Sequence, residues 1–211
     1  VNWNSFSIGG NEVVRINQPG ATSVILNRVT GNDPSSIYGQ LSANGKVFLV
    51  NPSGVLFGEG ARVDVGSLVA STLSIGNADF LAGRYTFSGP GGALVNRGAI
   101  TAAQQGTVAL LGGSVTNEGT ITARMGTVAM GSGRQITLDL AGDGLSQLTV
   151  SEAALSALVA NGGALLRQGL RADAHSDHSI SSSYSVMTAM STSPARILHK
   201  FKIRFQVDCL I

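Results

Sequence analysis

The sequence predicts an all-β protein folded as a right-handed parallel β-helix, a solenoid with about 20–21 residues per coil. Three observations predict this fold: glycine is abundant, short apolar segments alternate with turn residues, and two sequence units each repeat after 20 or 21 residues. Glycine makes up 28 of the 211 residues, and only 12% of the residues are charged. The hydrophobic content of 43% is too high for a disordered chain. The glycines lack the three-residue period of collagen.

The repeat is clearest between positions 96 and 129. The segment NRGAITA at positions 96–102 returns as NEGTITA at positions 117–123, and GTVA at positions 106–109 returns at positions 126–129. A period of this size is typical of one solenoid coil. The segments are short and rich in β-branched residues, with Asn and Gly between them, which favours strands joined by tight corners. Helical crossovers between parallel strands would need a dozen or more residues, so stacked coils are the consistent solution.

The elements follow from this pattern in chain order. Residues 1–20 contain apolar positions that predict strands capping the open first coil. Residues 21–150 form the coils. The segment 151–162 predicts one short helix near residues 151–160, with Ser151 as its N-cap, an apolar face, and a stop at Asn161-Gly162. Residues 1–166 therefore form the main domain.

The chain changes composition near residue 167. Residues 167–211 contain all three histidines, the single cysteine and a serine-rich stretch, and every glycine lies at or before Gly169. This tail also carries the basic excess, so the whole-chain pI near 9.0 does not indicate nucleic-acid binding. We expect either a linker ending in an edge strand, or a disordered tail that is not native to the domain, for example after a frame shift.

Small turn residues are expected to occupy the corners of the coils, where positive φ values and local hydrogen bonds favour them. For Asn96 and Asn117 we expect stacking that satisfies turn amides rather than ligand binding. The predicted structural corner positions are Asn27, Gly31, Asn44, Gly45, Gly58, Asn96, Gly98, Asn117 and Gly119.

Candidate chemistry is sparse in the main domain. It contains no histidine or cysteine, which excludes Ser-His-Asp and Cys-His nucleophile systems there. Asp139 and Asp143 lack the spacing of an EF-hand loop, so a turn is favoured over calcium. Asp64 is interpreted as a solvated surface acid, although β-helical carbohydrate-acting enzymes with paired carboxylates remain an alternative. We expect no catalytic residue, no metal site and no cofactor.

Residues 27–73 carry a family resemblance. Their motifs include NRVTG at 27–31, NGKVFL at 44–49, NPSGV at 51–55 and ASTL at 70–73. Together they resemble the N-terminal secretion domain of filamentous-haemagglutinin-like exoproteins, also called the haemagglutination activity or two-partner secretion domain. The resemblance extends over about residues 1–166. The family's usual N-P-N-G-I is N-P-S-G-V here, and both versions suit a tight turn.

The resemblance implies a non-enzymatic domain that directs a large adhesin-like exoprotein across the Gram-negative outer membrane. It implies a β-barrel transporter of the outer membrane as partner, a route through the periplasm, and a final location outside the cell or on its surface. Residues Asn51, Pro52, Ser53, Gly54 and Val55 are expected to be the secretion motif, either through direct transporter contact or by shaping the coil. Proline at the second position and glycine at the fourth predict a type I turn.

Two further expectations concern partners and processing. No apolar run approaches the ~18 residues needed to span a bilayer, so an integral membrane protein is not predicted. The chain opens on Val1 without a signal peptide, which indicates a processed form or a fragment. The alternative to a secretion domain is a β-helical module that itself binds host-cell glycans or receptors, or the carbohydrate-acting enzyme already mentioned.

Overall fold

The computed structural model describes residues 1–140, 147–152 and 158–166, together with the two segments 184–189 and 203–205. Apart from one short helix, the regular secondary structure of these residues is all β-strand, and most strands pair in parallel. The fold class predicted from the sequence, a parallel β-helix, is confirmed.

The first eleven elements, in chain order, are β1 (Asn2–Trp3), β2 (Val13–Ile16), β3 (Val24–Val29), β4 (Ser35–Ile37), β5 (Gln40–Val50), β6 (Val55–Phe57), β7 (Arg62–Ser71), β8 (Ser74–Ile75), α1 (Asn77–Leu81), β9 (Tyr85–Ser88) and β10 (Ala93–Asn96). The others are β11 (Ala99–Ala102), β12 (Thr107–Gly112), β13 (Ser114–Asn117), β14 (Thr120–Ala123), β15 (Thr127–Ser132), β16 (Gln135–Asp139), β17 (Gln147–Glu152), β18 (Leu158–Asn161), β19 (Ala164–Leu166), β20 (Tyr184–Ala189) and β21 (Ile203–Phe205).

The coils present three faces of parallel strands. Face one stacks β3, the second half of β5, the second half of β7, β12, β15 and β20. Face two stacks β4, β6, β10, β13 and β18. Face three stacks β2, the first half of β5, the first half of β7, β11, β14 and β19. One turn around the three faces is one coil, so the spacing of the sequence repeat is the coil length.

The core lies inside the coil and is built from alternate residues of each strand. On face three, Val63 pairs with Ile100, which pairs with Ile121, and all three are buried. A fully buried Val, Leu or Ile side chain contributes roughly 1.5–3 kcal/mol relative to an exposed one. Each coil exposes its inward side chains unless a neighbour covers them, so stability accumulates along the stack.

A second core lies outside the coil, against face one. Phe48 and Val50 point outward from β5, and they pack with Phe87 and Ile136 of an antiparallel sheet formed by β8, β9, β16 and β17. The strands of this sheet come from two insertions, one after β7 and one after β15. Both insertions leave the coil at the same corner, so they meet and pair with each other. Part of the range 21–150 that we assigned to coils therefore forms this separate sheet.

The short helix predicted near residues 151–160 is wrong for the residues that are described. Residues 151–152 are the end of β17, and Leu158–Asn161 is strand β18; residues 153–157 lie outside the described residues. The physical reason is that β18 stacks in register on β13, with Asn161 opposite Asn117. Backbone pairing and this amide contact outweigh the helical preference of the local sequence. The helix in the described part is α1, at Asn77–Leu81.

The N-terminal residues cap the stack as a coil of their own. β1 pairs with β3, Ile8 bridges to Ile37, and β2 pairs with β5, all in parallel. Near the other end, β20 pairs in parallel with β15, and β21 pairs antiparallel with β20. The backbone of these two segments therefore extends face one; the expectation of a tail distinct from the domain stays a prediction.

Candidate functional site

The segment Asn51–Gly54, called the 51–54 turn below, joins the end of β5 to β6. The amide N–H of Gly54 donates to the carbonyl oxygen of Asn51 at 3.1 Å, which closes a four-residue turn. Neither Pro52 nor Ser53 has a positive φ, which excludes the type II and mirror-image forms and agrees with the predicted type I turn. Gly54 itself has a φ of +136°, a value that favours glycine.

The side chain of Asn51 ties this turn to the preceding coil. Its Nδ2 donates to the carbonyl oxygen of Asp33 at 3.0 Å and to Oγ of Ser35 at 3.0 Å. Its Oδ1 accepts from the backbone N–H of Ser53 at 3.0 Å. Asn51 is fully buried, and the backbone N–H of Ser35 donates in return to the carbonyl of Gly54 at 3.0 Å. The turn is therefore held from inside the molecule.

The five motif residues divide between the interior and the surface. Asn51, Gly54 and Val55 are buried, and the side chain of Val55 belongs to the inner core. Pro52 and Ser53 are exposed at the corner between faces one and two. Only these two side chains can contact a partner in the folded domain. Asp33 and Ser35 were not among the predicted site residues; they lie 18 and 16 residues before Asn51 in the chain.

The next coil holds the other side of the turn. The backbone N–H of Asn51 donates to the carbonyl of Ser71 at 2.9 Å, and the N–H of Gly92 donates to the carbonyl of Pro52 at 3.0 Å. A Cβ on Gly92 would lie 2.9 Å from the carbonyl oxygen of Ser53. The turn is thus packed between two neighbours and has a fixed shape.

An asparagine ladder runs along the corner after face two. Nδ2 of Asn96 donates to Oδ1 of Asn117 at 2.7 Å, and Nδ2 of Asn117 donates to Oδ1 of Asn161 at 2.7 Å. Oδ1 of Asn96 accepts from the N–H of Gly98 at 3.2 Å. These amides form hydrogen bonds with each other and with a turn N–H, which is the structural role predicted for Asn96 and Asn117.

The predicted corner glycines lie where consecutive coils approach closely. A Cβ on Gly45 would lie 2.7 Å from the carbonyl oxygen of Ser23, and one on Gly98 would lie 2.7 Å from that of Ala61. A Cβ on Gly119 would clash with the carbonyl of Gly98. Similarly, Gly31 faces the backbone of the N-terminal coil, and Gly58 faces the ring of Tyr38.

One predicted corner asparagine has another position, and a second lies at a corner as predicted. Asn27 lies within β3, where its buried Oδ1 accepts from the indole Nε1 of Trp3 at 3.1 Å. That prediction of a corner is wrong, because the inward position of a strand suits an amide that anchors the capping indole. Asn44, by contrast, is at a corner, the bend of β5 between faces three and one, and it exchanges two hydrogen bonds with the backbone of Gln18, at 2.7 and 2.8 Å.

A shallow trough of about 620 Å³ on face three contains the acid singled out from the sequence. Asp64 is exposed there and pairs by register with Thr101, which pairs with Thr122. The other acid in the trough, Glu118, lies in the corner just before β14, which is two strands away from the strand of Asp64.

One of the two acids in this trough is already paired with a basic side chain. Glu118 accepts from Nε of Arg97 at 2.8 Å, and this hydrogen bond raises the pKa of the Arg97 guanidinium. Among the described residues, no group of three His, Cys, Asp or Glu side chains is placed to hold a metal ion. The part of the chain that the structure describes also has no helix long and apolar enough to cross a membrane.

Comparison with known proteins agrees with this architecture. The family model described as "TPS secretion domain" matches residues 1–190. The crystal structure of the HMW1 secretion domain from Haemophilus influenzae is similar to this chain, with a TM-score of 0.69 and 36% sequence identity. That similarity covers 80% of this chain and 48% of the crystallised chain.

Two curated relatives are both named "Heme/hemopexin-binding protein" and come from Haemophilus influenzae. One is 51% identical over 72 residues, which are 34% of this chain and 8% of the relative. The other is 40% identical over 88 residues, which are 42% of this chain and 10% of the relative. The matched segments therefore span about a tenth of each relative's length.

Proposed function

Because this chain belongs to the TPS secretion domain family, we propose that it is recognised during export through the 51–54 turn. The chain is the secretion domain of a two-partner-secreted exoprotein, and this family implies an outer-membrane transporter as its partner. Exoproteins of this type are secreted from Gram-negative bacteria. We further propose that Pro52 and Ser53 contact the transporter, that the chain passes through the periplasm, and that the first coils promote folding of the coils that follow.

The contact proposal rests on one observation: two residues of the turn are exposed, and the others are buried. Pro52 and Ser53 are exposed on a loop whose backbone is fixed by hydrogen bonds from both neighbouring coils. A rigid exposed loop loses little conformational entropy when a partner binds it. Asn51 and Gly54, by contrast, are buried and act by fixing the shape of the loop.

The proposed folding role follows from the stack. Strands of successive coils pair in register, as Val108 does with both Leu68 and Val128. An emerging coil therefore finds a preformed edge and buries apolar surface against it at roughly 25 cal/mol per Å². We infer that folding outside the membrane, coil by coil, favours outward movement of the chain.

We further propose that the domain is not an enzyme. The ion pair between Glu118 and Arg97 supports this, since paired-carboxylate chemistry needs two acids that both face the substrate. Binding of host glycans or receptors is assigned to the rest of the exoprotein, which we propose to be an adhesin. The two curated relatives are about ten times longer than the segments matched here, so we do not assign the binding in their names to this domain.

The test is co-expression of the chain with its cognate transporter, with release into the medium as the readout. We expect release to require the transporter and to fall in Ser53→Lys, because the long charged side chain changes the exposed loop. Ser88→Lys, at an exposed serine of the antiparallel sheet, is the matched control and should be released like the unmodified chain. Retention of the unmodified chain despite the transporter would overturn the secretion role, and normal release of Ser53→Lys would overturn the contact.

A further inference from the structure

We propose that β16 and β17, called the closing strands below, bind the stacked coils into one cooperative unit and so prevent the exported domain from unfolding one coil at a time. This role rests on the proposed function, because it adds a last step to folding outside the membrane. The closing strands follow β15 and lie outside the coil, in the sheet order β17-β16-β9-β8. The step follows export and involves only contacts within the chain.

In the stack itself, strand pairing connects one coil to the next. On face three, Ile121 is fully buried and pairs by register with Ile100 in the coil before it and with Leu165 in the coil after it. When contacts connect adjacent coils in this way, the stability of a stack is approximately a sum of nearest-neighbour contributions. Without further connections, a coil at the end of such a stack can detach while the others stay folded.

The second core connects coils that are not adjacent. Face one presents a row of outward side chains that are aligned by register and all belong to this core: Leu26, Phe48, Val69, Ala109 and Ala129. The antiparallel sheet lies over the row, and the fully buried Ile136 of β16 packs in the same core. A coil that detaches must withdraw its part of the row from this sheet. Its loss therefore exposes apolar surface of the sheet that also covers the other coils.

The first insertion, which contains β8, α1 and β9, is anchored on the first coils. Nη1 of Arg28 in β3 donates to Oδ1 of Asn77 at 2.7 Å. The ring of Phe48 in β5 lies 5.2 Å from that of Phe80 and 5.0 Å from that of Tyr85. Because these contacts start from β3 and β5, they hold the first insertion without help from the later coils.

The closing strands extend this cover to the later coils. β16 pairs antiparallel with β9 over four register positions, and the hydroxyl groups of Thr86 and Thr137 share a hydrogen bond of 3.2 Å. β17 lies against β15, since a Cβ on Gly131 would be 3.0 Å from Cδ1 of Leu148. Closing the sheet thus links the first insertion, which is fixed on β3 and β5, to the last strands of the row. Before closure the coils can detach singly, and after closure they open together.

The experiment compares Ile136→Ala with Ile121→Ala in the full chain. Both isoleucines are fully buried, but Ile136 belongs to the second core and Ile121 to the core inside the coil. Each variant removes the same side-chain atoms, so an effect of lost stability alone should be similar in the two. The measurements are urea unfolding and hydrogen exchange of the purified proteins, and release into the medium by the transporter.

In Ile136→Ala the coils should open separately. The backbone N–H groups of Lys46 and Thr127 each donate to the preceding coil, at 2.8 and 3.1 Å, and they lie in early and late coils. In the unmodified chain and in Ile121→Ala, the protection factors of these two amides should agree within about threefold. In Ile136→Ala the protection at Thr127 should be at least about tenfold below that at Lys46, since loss of a buried isoleucine shifts an opening equilibrium by that factor or more. The m-value of urea unfolding should fall in this variant alone.

Release should be lower for Ile136→Ala than for Ile121→Ala, because coils that open separately can return to the transporter one at a time. Equal release of the two variants would overturn the role in export. Parallel exchange of the two amides with equal m-values would overturn the cooperative role itself. Retention of the unmodified chain despite the transporter is the separate failure of the proposed function, and exchange and urea unfolding still decide the role of the closing strands in that case.

A milder pair of variants covers the case in which Ile136→Ala does not fold. Ile136→Val and Ile121→Val each remove one buried methyl group, which shifts an opening equilibrium by about twofold or more. A difference of that size between the Lys46 and Thr127 amides is then expected in Ile136→Val alone. Its absence would refute the proposal.

Discussion

Replacing Asn117 by alanine should destabilise the domain more than any other single change in the asparagine ladder. Asn117 is fully buried, and it accepts from Asn96 and donates to Asn161, each at 2.7 Å. Alanine removes both bonds and leaves Nδ2 of Asn96 without its acceptor. A buried donor without a partner costs about 1–3 kcal/mol, and a lost hydrogen bond costs about 1 kcal/mol. We therefore expect a loss of about 2–4 kcal/mol in the free energy of unfolding.

The assay is urea and thermal unfolding of the purified chain. In a protein of this size, about 3 kcal/mol lowers Tm by roughly 6–12 °C, and the urea midpoint should fall at an unchanged m-value. The control is Asn161→Ala, which removes a bond of the same length at the exposed end of the ladder. Water can replace that amide, so about 1 kcal/mol or less is expected. Equal losses in the two variants would refute the argument that burial makes the inner amide costly.

Three further predictions concern the corners and the outer core. Gly126→Ala should lower the free energy of unfolding by about 3 kcal/mol, because the new Cβ would clash with a carbonyl of the preceding coil. Gly162→Ala places its Cβ in open space and should change this free energy by less than about 0.5 kcal/mol, so equal urea midpoints of the two variants would contradict the argument. Gln105 has a φ of +63°, so Gln105→Gly should gain about 0.5–1 kcal/mol, while Gln104→Gly, without a positive φ, should lose stability in the same assay. Burial raises the pKa of the Tyr85 phenol. The neutral phenol therefore contributes stability that is fully present below the unfolded pKa of about 10 and is lost as pH rises through the folded pKa. Tm should fall more steeply above pH 10 in the unmodified chain than in Tyr85→Phe, and parallel curves of Tm against pH would contradict this.

The coil architecture was predictable because its signals are local and repeated. The N-x-G-x-I-T-A unit specifies a corner followed by an alternating strand, and its recurrence fixes the coil length. The type of the 51–54 turn was predictable for the same reason, since Pro52 restricts φ at the second position and Gly54 permits a φ of +136° at the fourth, all within four residues. The partners of Asn51 were not predictable, because Asp33 and Ser35 are 18 and 16 residues away and resemble ordinary loop and strand residues.

The sequence contains one signal for the antiparallel sheet outside the coil, although this sheet was not predicted. The run Val47-Phe48-Leu49-Val50 is apolar at every position, whereas a strand with one solvated face alternates. In the structure, Val47 and Leu49 point into the coil and Phe48 and Val50 point into the second core. Such a run predicts cover on both sides, but it does not say which segment provides the cover.

The sequence by itself determined the strand class, the coil period, the glycine corners and the form of the exposed turn, because each depends on residues within one coil. The tertiary structure decided what lies between distant segments: two insertions meet over face one, residues 158–161 pair with β13 instead of forming a helix, and Ser35 fixes Asn51. The physical reason is that a buried polar group needs a hydrogen-bond partner and an apolar face needs cover, and both come from the residues that the stack brings within about 3–4 Å. Coil stacking brings together residues that lie one full coil apart in the chain, and only the completed stack shows which ones.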